Sequence, residues 1–399
     1  MSLKQLPPVG TPVHTGSRNI SAEPLTIQFN GFLHTFLQSG TAALALALTQ
    51  LVKRADNVNR NVIIPGYGCP DLVAACEFAG VQAVSVDFDP NLYQYDLTQI
   101  EKLDGSLLAV ICPSLLGISM PIKCLREILS DDVFIIEDNA QWFPEHEQAA
   151  QRVENLRQLG SYQLPTDTQY ADFFITSFGR GKPVNLMGGG LLAWQSRYQD
   201  WFEGYQLNDV KTKHLKVDIK TQLKARLFNI VCHPIPYGLL ARIPALKLGV
   251  TAYHKLDKIT DMEREKVSLA GTAIQHYLSQ PQHISELLKK NLPLAWPQQA
   301  ENKRLLRLPL LASSKEVRDA IVTQCNAHGL GASVMYEKPL IDIENVRDKV
   351  STPFPTPIAE KVANGFFTLP LHPGVTVKHV EKMIKIITPY FNDLNKVPQ

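Results

Sequence analysis

Charge of one sign is what this sequence lacks first. Its 40 Lys and Arg stand against 38 Asp and Glu, a formal +2, which is too little for the global field that draws in a polyanion. Nucleic acid is therefore not an expected partner. No stretch reaches the ~20 uninterrupted apolar residues of a membrane span, and the start, MSLKQLPPVG, has no apolar run of signal-peptide length. The six cysteines, Cys69, Cys76, Cys112, Cys124, Cys232 and Cys325, form no C-x-x-C pair and sit mostly within apolar runs. Buried free thiols in a reducing compartment explain them best, so a cytoplasmic protein is expected.

Several catalytic signatures are missing as well. Gly188-Gly189-Gly190 precedes the apolar run LLAW instead of opening a helix, so it fails the context of a dinucleotide fingerprint. Gly181-Lys182 is followed by Pro183 and lacks the upstream glycine of a P-loop. No His or Cys spacing resembles a metal site, and there is no G-x-S-x-G elbow. The histidines read as structural. No internal repeat and no low-complexity tract is found.

What is present is a chain of 399 residues, longer than one hydrophobic core usually grows, so two domains are expected. Residues 1–30 are rich in Pro, Gly, Ser and Thr without periodicity and read as an arm. The run TAALALALTQLVK (41–53) predicts a helix with Ser39-Gly40-Thr41 as its capping turn. Apolar strands then alternate with helices: NVIIP (61–65), helix 71–80, strand 82–89, LLAVICP (107–113), helix 121–129, VFIIED (133–138), ADFFITSF (171–178) and GGGLLAW (188–194). Continuous apolar runs separated by helices predict a mostly parallel sheet covered on both faces, hence an α/β large domain over 31–255. A long helix from about Leu256 to Leu278, strand RLLRLPLL, helix 314–331, strand ASVMYEKPL and a final helix VKHVEKMIKII predict a smaller α+β domain over 256–399.

Three places could carry chemistry. SGTAAL offers backbone N–H groups and a partial positive charge at a helix start, which suits a phosphate, although taken alone plain capping is the commoner role of such a start. Asp138 ends an apolar strand at the carboxyl edge of the sheet, where open α/β folds place ligands. A carboxylate there can keep a pyridinium nitrogen protonated, or it can cap the next helix, or bind a metal or a ribose. Lys182 follows a strand end across the turn Gly179-Arg180-Gly181. Most loop lysines are merely solvated, but the neighbouring Arg180 would favour the neutral, nucleophilic amine, and Ser177 could give a hydroxyl to a phosphate.

Taken in order, SGTAAL, IPGYGCPD, VSVDFDP, AVICPSLLG, IIEDNAQ, TSFGRGKPVNLMGGGLL and FFTLPLHPGVT resemble the sugar-nucleotide aminotransferases of the DegT/StrS type. These are enzymes of the aspartate-aminotransferase fold, or fold-type I, that use pyridoxal 5′-phosphate (PLP). The resemblance runs from about Leu37 to Ile387, interrupted near 200–255. It implies that Lys182 holds PLP as a Schiff base, that Asp138 faces the pyridine nitrogen and Gln141 the ring hydroxyl, and that Gly40, Thr41, Ala42 and Ser177 bind the phosphate. Some members carry His at the lysine position and are sugar dehydratases, so Lys182 favours transamination. Cys69 falls where many relatives stack an aromatic residue on the cofactor, and Tyr67 is the nearest aromatic here. Ser114 replaces a common His. The G-Y-N-x-R-M segment through which a neighbouring subunit reaches the phosphate is not recognisable.

The resemblance further implies a homodimer with sites between subunits, an amino donor expected to be glutamate, and a keto acceptor on a nucleotide-linked sugar for surface polysaccharides. The rivals are an enzyme of the same fold with a non-sugar substrate and a non-catalytic PLP-binding scaffold. Where the missing segment should lie, residues 211–250 form a basic and then apolar insertion. Leu215, Ile219, Leu223 and Leu227 recur every four positions on one helical face, with Lys213, Lys216, Lys220 and Lys224 on others. That face either packs on the dimer partner or the small domain, as amphipathic helices usually do, or rests on an anionic membrane surface.

Overall fold

The computed structural model describes residues 3–15, 26–27, 32–144, 161–162, 171–205, 219–243, 249, 251–292 and 303–392. Its strands are β1 (Phe32–Leu37), β2 (Asn61–Pro65), β3 (Gln82–Val86), β4 (Leu107–Pro113), β5 (Phe134–Asp138), β6 (Phe173–Ser177), β7 (Gly190–Gln195), β8 (Arg307–Leu311), β9 (Val350–Ser351) and β10 (Phe366–Pro370). The helices used below are α1 (Gly40–Arg54), α2 (Asp71–Ala79), α3 (Ile122–Ile128), α4 (Ile219–Val231), α5 (Pro234–Leu240), α6 (Arg264–Leu278), α7 (His283–Asn291), α8 (Lys315–Ala327), α9 (Pro357–Gly365) and α10 (Val377–Asn392).

Eight strands form one sheet in the order β9-β3-β2-β4-β5-β6-β7-β1. The pairs from β9 to β6 are parallel, and β7 is antiparallel to both β6 and β1. The α/β architecture with a mostly parallel sheet is thus as the apolar runs predict. Both faces are buried, and the strand period of two divides the side chains between them. Val62, Ile64, Ala109 and Ile111 pack with α1 and α2 in one core, whereas Ile63, Val110 and Cys112 join the other with residues from the C-terminal part of the chain.

The helix α1 shows why this segment is helical and not a strand. Ala and Leu lose little on adopting helical torsions, and Ser39 caps the start by accepting the Ala42 N–H at 3.1 Å. Lys53 and Arg54 close the end, where the helix dipole favours cations. Ten of its residues are buried, so packing fixes what propensity begins.

Some expectations fail, each for a tertiary reason. The strand β1, FLHTFL, passes unnoticed in sequence, yet it pairs along its whole length with β7. The helix expected from Leu256 begins at Arg264, because the residues before it pair with the end of β1: Gln38 N–H donates to Thr260 O at 3.0 Å and Met262 N–H to Phe36 O at 3.2 Å. ASVMYEKPL is not a strand; within it Ser333 alone bridges Thr368. From the C-terminal part, β8 and β10 form a two-stranded antiparallel sheet flanked by helices, while β9 joins the large sheet and Leu340, Ile343 and Val346 enter its core. Cysteines 76, 112 and 325 are buried, but Cys124 is exposed on the outer side of α3, against the expectation of buried thiols.

The arm is tied down over its described residues 3–15. Leu6 is buried, its N–H donates to Gly329 O at 2.9 Å, and Gln5 N–H donates to Pro234 O at 2.9 Å. Val13 exchanges two hydrogen bonds with the Asn229 amide, and Asn185 Nδ2 donates to Thr11 O at 2.9 Å. The arm therefore links α4, α5 and the small sheet region to the loop that carries Lys182.

At the far end of β6, Asp172 is 2% exposed and ties three segments together. It accepts from Arg126 at 2.6 Å, Arg197 at 2.5 Å, Tyr198 Oη at 2.7 Å and Ile135 N–H at 2.8 Å. Replacing it leaves a buried N–H without its acceptor and removes the carboxylate from the partly buried Arg126 guanidinium, which keeps its bond to Val133 O. Asp172→Ala should cost about 3 kcal/mol, read as a shift in the urea midpoint at constant slope; a loss below ~1 kcal/mol would show that the cluster is peripheral to stability.

Candidate active site

Strand order fixes where a ligand can lie. After β2 the chain adds β3 on one side, then crosses to add β4 on the other, so β2 and β4 diverge at their carboxyl ends and leave a crevice there. A cavity of about 250 Å³ occupies that position. Pro65 and Tyr67 line it from the end of β2, Pro113 and Ser114 from β4, Asp138 from β5, Ser177 from β6, and Ser39, Gly40 and Thr41 from the start of α1.

Of the residues singled out in sequence, Gly40, Thr41, Tyr67, Cys69, Asp138, Gln141, Ser177 and Lys182 all line this one cavity. Ala42 does not. It is fully buried in α1 and its N–H is engaged by the Ser39 cap. Thr41 Oγ1 donates to Asp71 Oδ2 at 3.0 Å, tying the starts of α1 and α2 together. Arg180 is exposed and lies outside the lining, so the cation inferred from its spacing does not belong to the cavity wall.

The N-terminus of α1 sits hard against the neighbouring strands. A Cβ on Gly40 would lie 2.8 Å from Ser177 Cβ, and one on Gly190 would lie 2.4 Å from the Ser39 carbonyl. The glycines explain how a helix terminus and the ends of β6 and β7 share one small space. The Gly188–Gly190 run thus serves close backbone approach before β7, not nucleotide phosphates.

Asp138 is 8% exposed. Its Oδ1 accepts the Ala140 N–H at 2.9 Å, and no ion pair among the described residues neutralises it. Burial raises its pKa, opposed by the Ala140 N–H and the Lys182 charge, with Asp71 adding to the rise. Gln141 is held by its amide, whose Nε2 donates to Tyr336 Oη at 3.5 Å, while its buried Oε1 has no partner among the described residues. Tyr67 is buried, its ring edge-to-face with Tyr336 at 5.4 Å and with Phe366 at 5.9 Å. Its hydroxyl donates to Tyr336 O at 3.2 Å and accepts the Tyr336 N–H at 3.3 Å.

Tyr336 is the lining residue that sequence reasoning missed. It lies in the stretch expected to be a strand, and a single tyrosine among apolar residues carries no signal of its own. Phe88, Leu115 and Met120 complete an apolar wall that was equally silent.

Burial, with the Asp71 carboxylate beside it, pushes the Cys69 thiol up to about 12, the Lys182 charge opposing. Cys69 is therefore a neutral wall residue and not a thiolate nucleophile. Alkylation by iodoacetamide at pH 8 should modify exposed Cys124 at least ~10-fold faster than Cys69, followed by peptide mass spectrometry; equal rates at the two would contradict this reading.

Over residues 15–388 the chain matches the DegT/DnrJ/EryC1/StrS aminotransferase family. No curated protein sequence matches it. Among solved structures it is similar to a DegT DnrJ EryC1 StrS aminotransferase from Brucella abortus, at 16% identity and TM-score 0.57 over 90% of this chain and 85% of that one. It is also similar to a Streptococcus pneumoniae protein described as a sugar aminotransferase, in its PLP form, at 19% identity and TM-score 0.60 over 90% and 87%. A third is 3-amino-5-hydroxybenzoic acid synthase, at 14% and TM-score 0.59 over 90% and 86%. With a match that spans most of its length and a cavity at the switch point of this sheet, the chain belongs to the DegT/DnrJ/EryC1/StrS aminotransferase family and is a PLP-dependent transaminase.

Proposed function

We propose that this transaminase carries nitrogen from glutamate to a keto group on a nucleotide-linked sugar in surface polysaccharide synthesis, working as a homodimer. The observation that supports the site assignment best is that Lys182, Asp138 and the N-terminus of α1 line one cavity although they lie on three separate segments. The similarity to a protein described as a sugar aminotransferase supports the acceptor class.

The cavity fits PLP in three respects. The start of α1 offers N–H groups without intrahelical partners beside the Ser177 hydroxyl, a donor set for a phosphate. Asp138 is a carboxylate whose charge burial disfavours, a cost that a protonated ring nitrogen would offset. The buried Oε1 of Gln141 has no donor among the described residues, and a ring hydroxyl could supply one.

Bound PLP supplies an electron sink that lets a proton leave the carbon bearing the substrate nitrogen. Asp138 would hold a proton on the ring nitrogen, which that chemistry requires. Lys182 would hold the cofactor through its Nζ, and the same amine would take and return the proton at the substrate carbon. Gly40, Thr41 and Ser177 anchor the phosphate, with Ala42 contributing only to the cap that orients the helix. Gln141 orients the ring through its hydroxyl. Tyr67 and Cys69 would bound the ring face; both side chains are neutral, Tyr67 buried and Cys69 partly so.

Borohydride reduction of the native protein should fix the cofactor to Lys182, and Lys182→Ala should lose both the visible cofactor absorbance and turnover; a label on Lys338 or any other lysine would overturn the assignment. Asp138→Asn should fold normally and lose at least ~100-fold in kcat, about the 2.7 kcal/mol of a charged partner in a water-poor site. Turnover within a few-fold of the parent would remove Asp138 from the mechanism. A panel of keto-sugar nucleotides with glutamate tests the acceptor: amination of none of them, while a non-sugar ketone is accepted, would refute the sugar class.

A further inference from the structure

One face of α4 and α5 remains after the fold and the cavity are accounted for. In α4, Ile219 is 84% exposed, Leu223 64%, and Leu227 and Ile230 each 59%. Spaced i, i+4, i+8 and i+11, they fall within one arc of ~80° at 100° per residue. Arg226 borders that arc on one side and Lys220 and Lys224 on the other, all three exposed. Ala225, on the opposite side, is buried, so the helix is not wrongly rotated but packs by its other face.

The short helix α5 continues the surface. Ile235, Leu239 and then Ile243 repeat every four residues and are exposed, with exposed Arg242 beside them. The inner side of the pair is clamped by the arm: Asn229 bonds Val13, Gln5 bonds Pro234, and a Cβ on Gly238 would lie 2.4 Å from Leu3 O. Two helices are thus held fixed while large aliphatic side chains point away from the body, on neither the small sheet nor the large one. Contiguous apolar surface of this kind marks an occupied site.

Charge decides between occupants. From Ile219 through Ile243 the sequence has no Asp or Glu, and four Lys or Arg (Lys220, Lys224, Arg226 and Arg242). A second copy docking face to face about a two-fold axis would set this rim of cations against itself, and like charges across an interface oppose association. An anionic bilayer meets the same pattern with the opposite sign, taking the leucines and isoleucines at the acyl boundary and the cations among headgroups. No helix among the described residues is long and apolar enough to cross a membrane, so the contact lies in the plane of the interface. We infer that the α4–α5 face seats the enzyme on an anionic lipid surface.

The test is co-sedimentation of the PLP-loaded enzyme with vesicles of phosphatidylcholine alone or mixed with phosphatidylglycerol, at low and high salt. Binding should appear with the phosphatidylglycerol vesicles and fade at high salt. Leu223→Asp with Leu227→Asp should abolish it, and Lys220→Gln with Lys224→Gln should weaken it about 30-fold, the effect of two interfacial cations. Both variants should keep the cofactor absorbance and the parent's mass by light scattering. Absence of binding, equal binding to both vesicles, or undiminished binding by the leucine variant would overturn the inference. A lowered mass in the leucine variant would overturn it in favour of an interface between copies.

Discussion

A carboxylate buried at the end of an apolar strand, with no cation bonded to it among the described residues, is the constraint on which this structure turns. Asp138 is placed by β5, itself wedged between β4 and β6, and its main chain is fixed by Ser114 N–H donating to Asp138 O at 2.8 Å and Asn139 N–H to Ile175 O at 2.9 Å. The side chain is held inward by the Ala140 N–H, which Oδ1 accepts at 2.9 Å. Burial opposes its charge, and a lone ionised group in such a place costs several kcal/mol unless something compensates. On the proposed reading a positive ring nitrogen would offset that cost, and the rest of the wall is compatible with it: small residues where α1 approaches, neutral side chains at Tyr67 and Cys69, and the Gln141 amide with one acceptor unused among the described residues.

Much of this is legible in the sequence because the central sheet is buried on both sides. Continuous apolar runs such as LLAVICP and VFIIED leave few alternatives to a covered parallel strand, and the residues that end those runs fall on one edge by geometry alone. Asp138 and Lys182 are therefore placed by reasoning that needs no contacts. What sequence hides is whatever depends on pairing across long separations. FLHTFL alternates with His34 and Thr35 and becomes β1 only because β7 offers it an antiparallel edge. Residues 256–263 have helical composition but give their backbone to β1. Tyr336 reaches the cavity from a loop whose position is set by Tyr67, far away in the chain.

The arm shows the same principle from the other side. A Pro- and Gly-rich start without periodicity has no internal reason to order, yet residues 3–15 lie in a track provided by α4, α5, the end of α8 and His372, whose Nε2 is 3.0 Å from Pro7 O. Composition describes what a segment can do alone, and here the rest of the molecule does the work for it.

The edge of the large sheet at β3 is covered by β9, and Asp87, just past β3, accepts the N–H groups of Ile358 and Ala359 at 2.9 and 2.8 Å at the start of α9. A strand from early in the chain, paired with β2 along one edge, thus has its other edge paired and its carboxylate bonded only by residues from 350 onward. Any sheet formed before those residues leave the ribosome would have that edge open. An open edge is a template for pairing with other chains, so chaperone protection of the nascent protein matters most in that interval, and a truncation before β9 removes the seal and leaves the rest of the sheet exposed to aggregation.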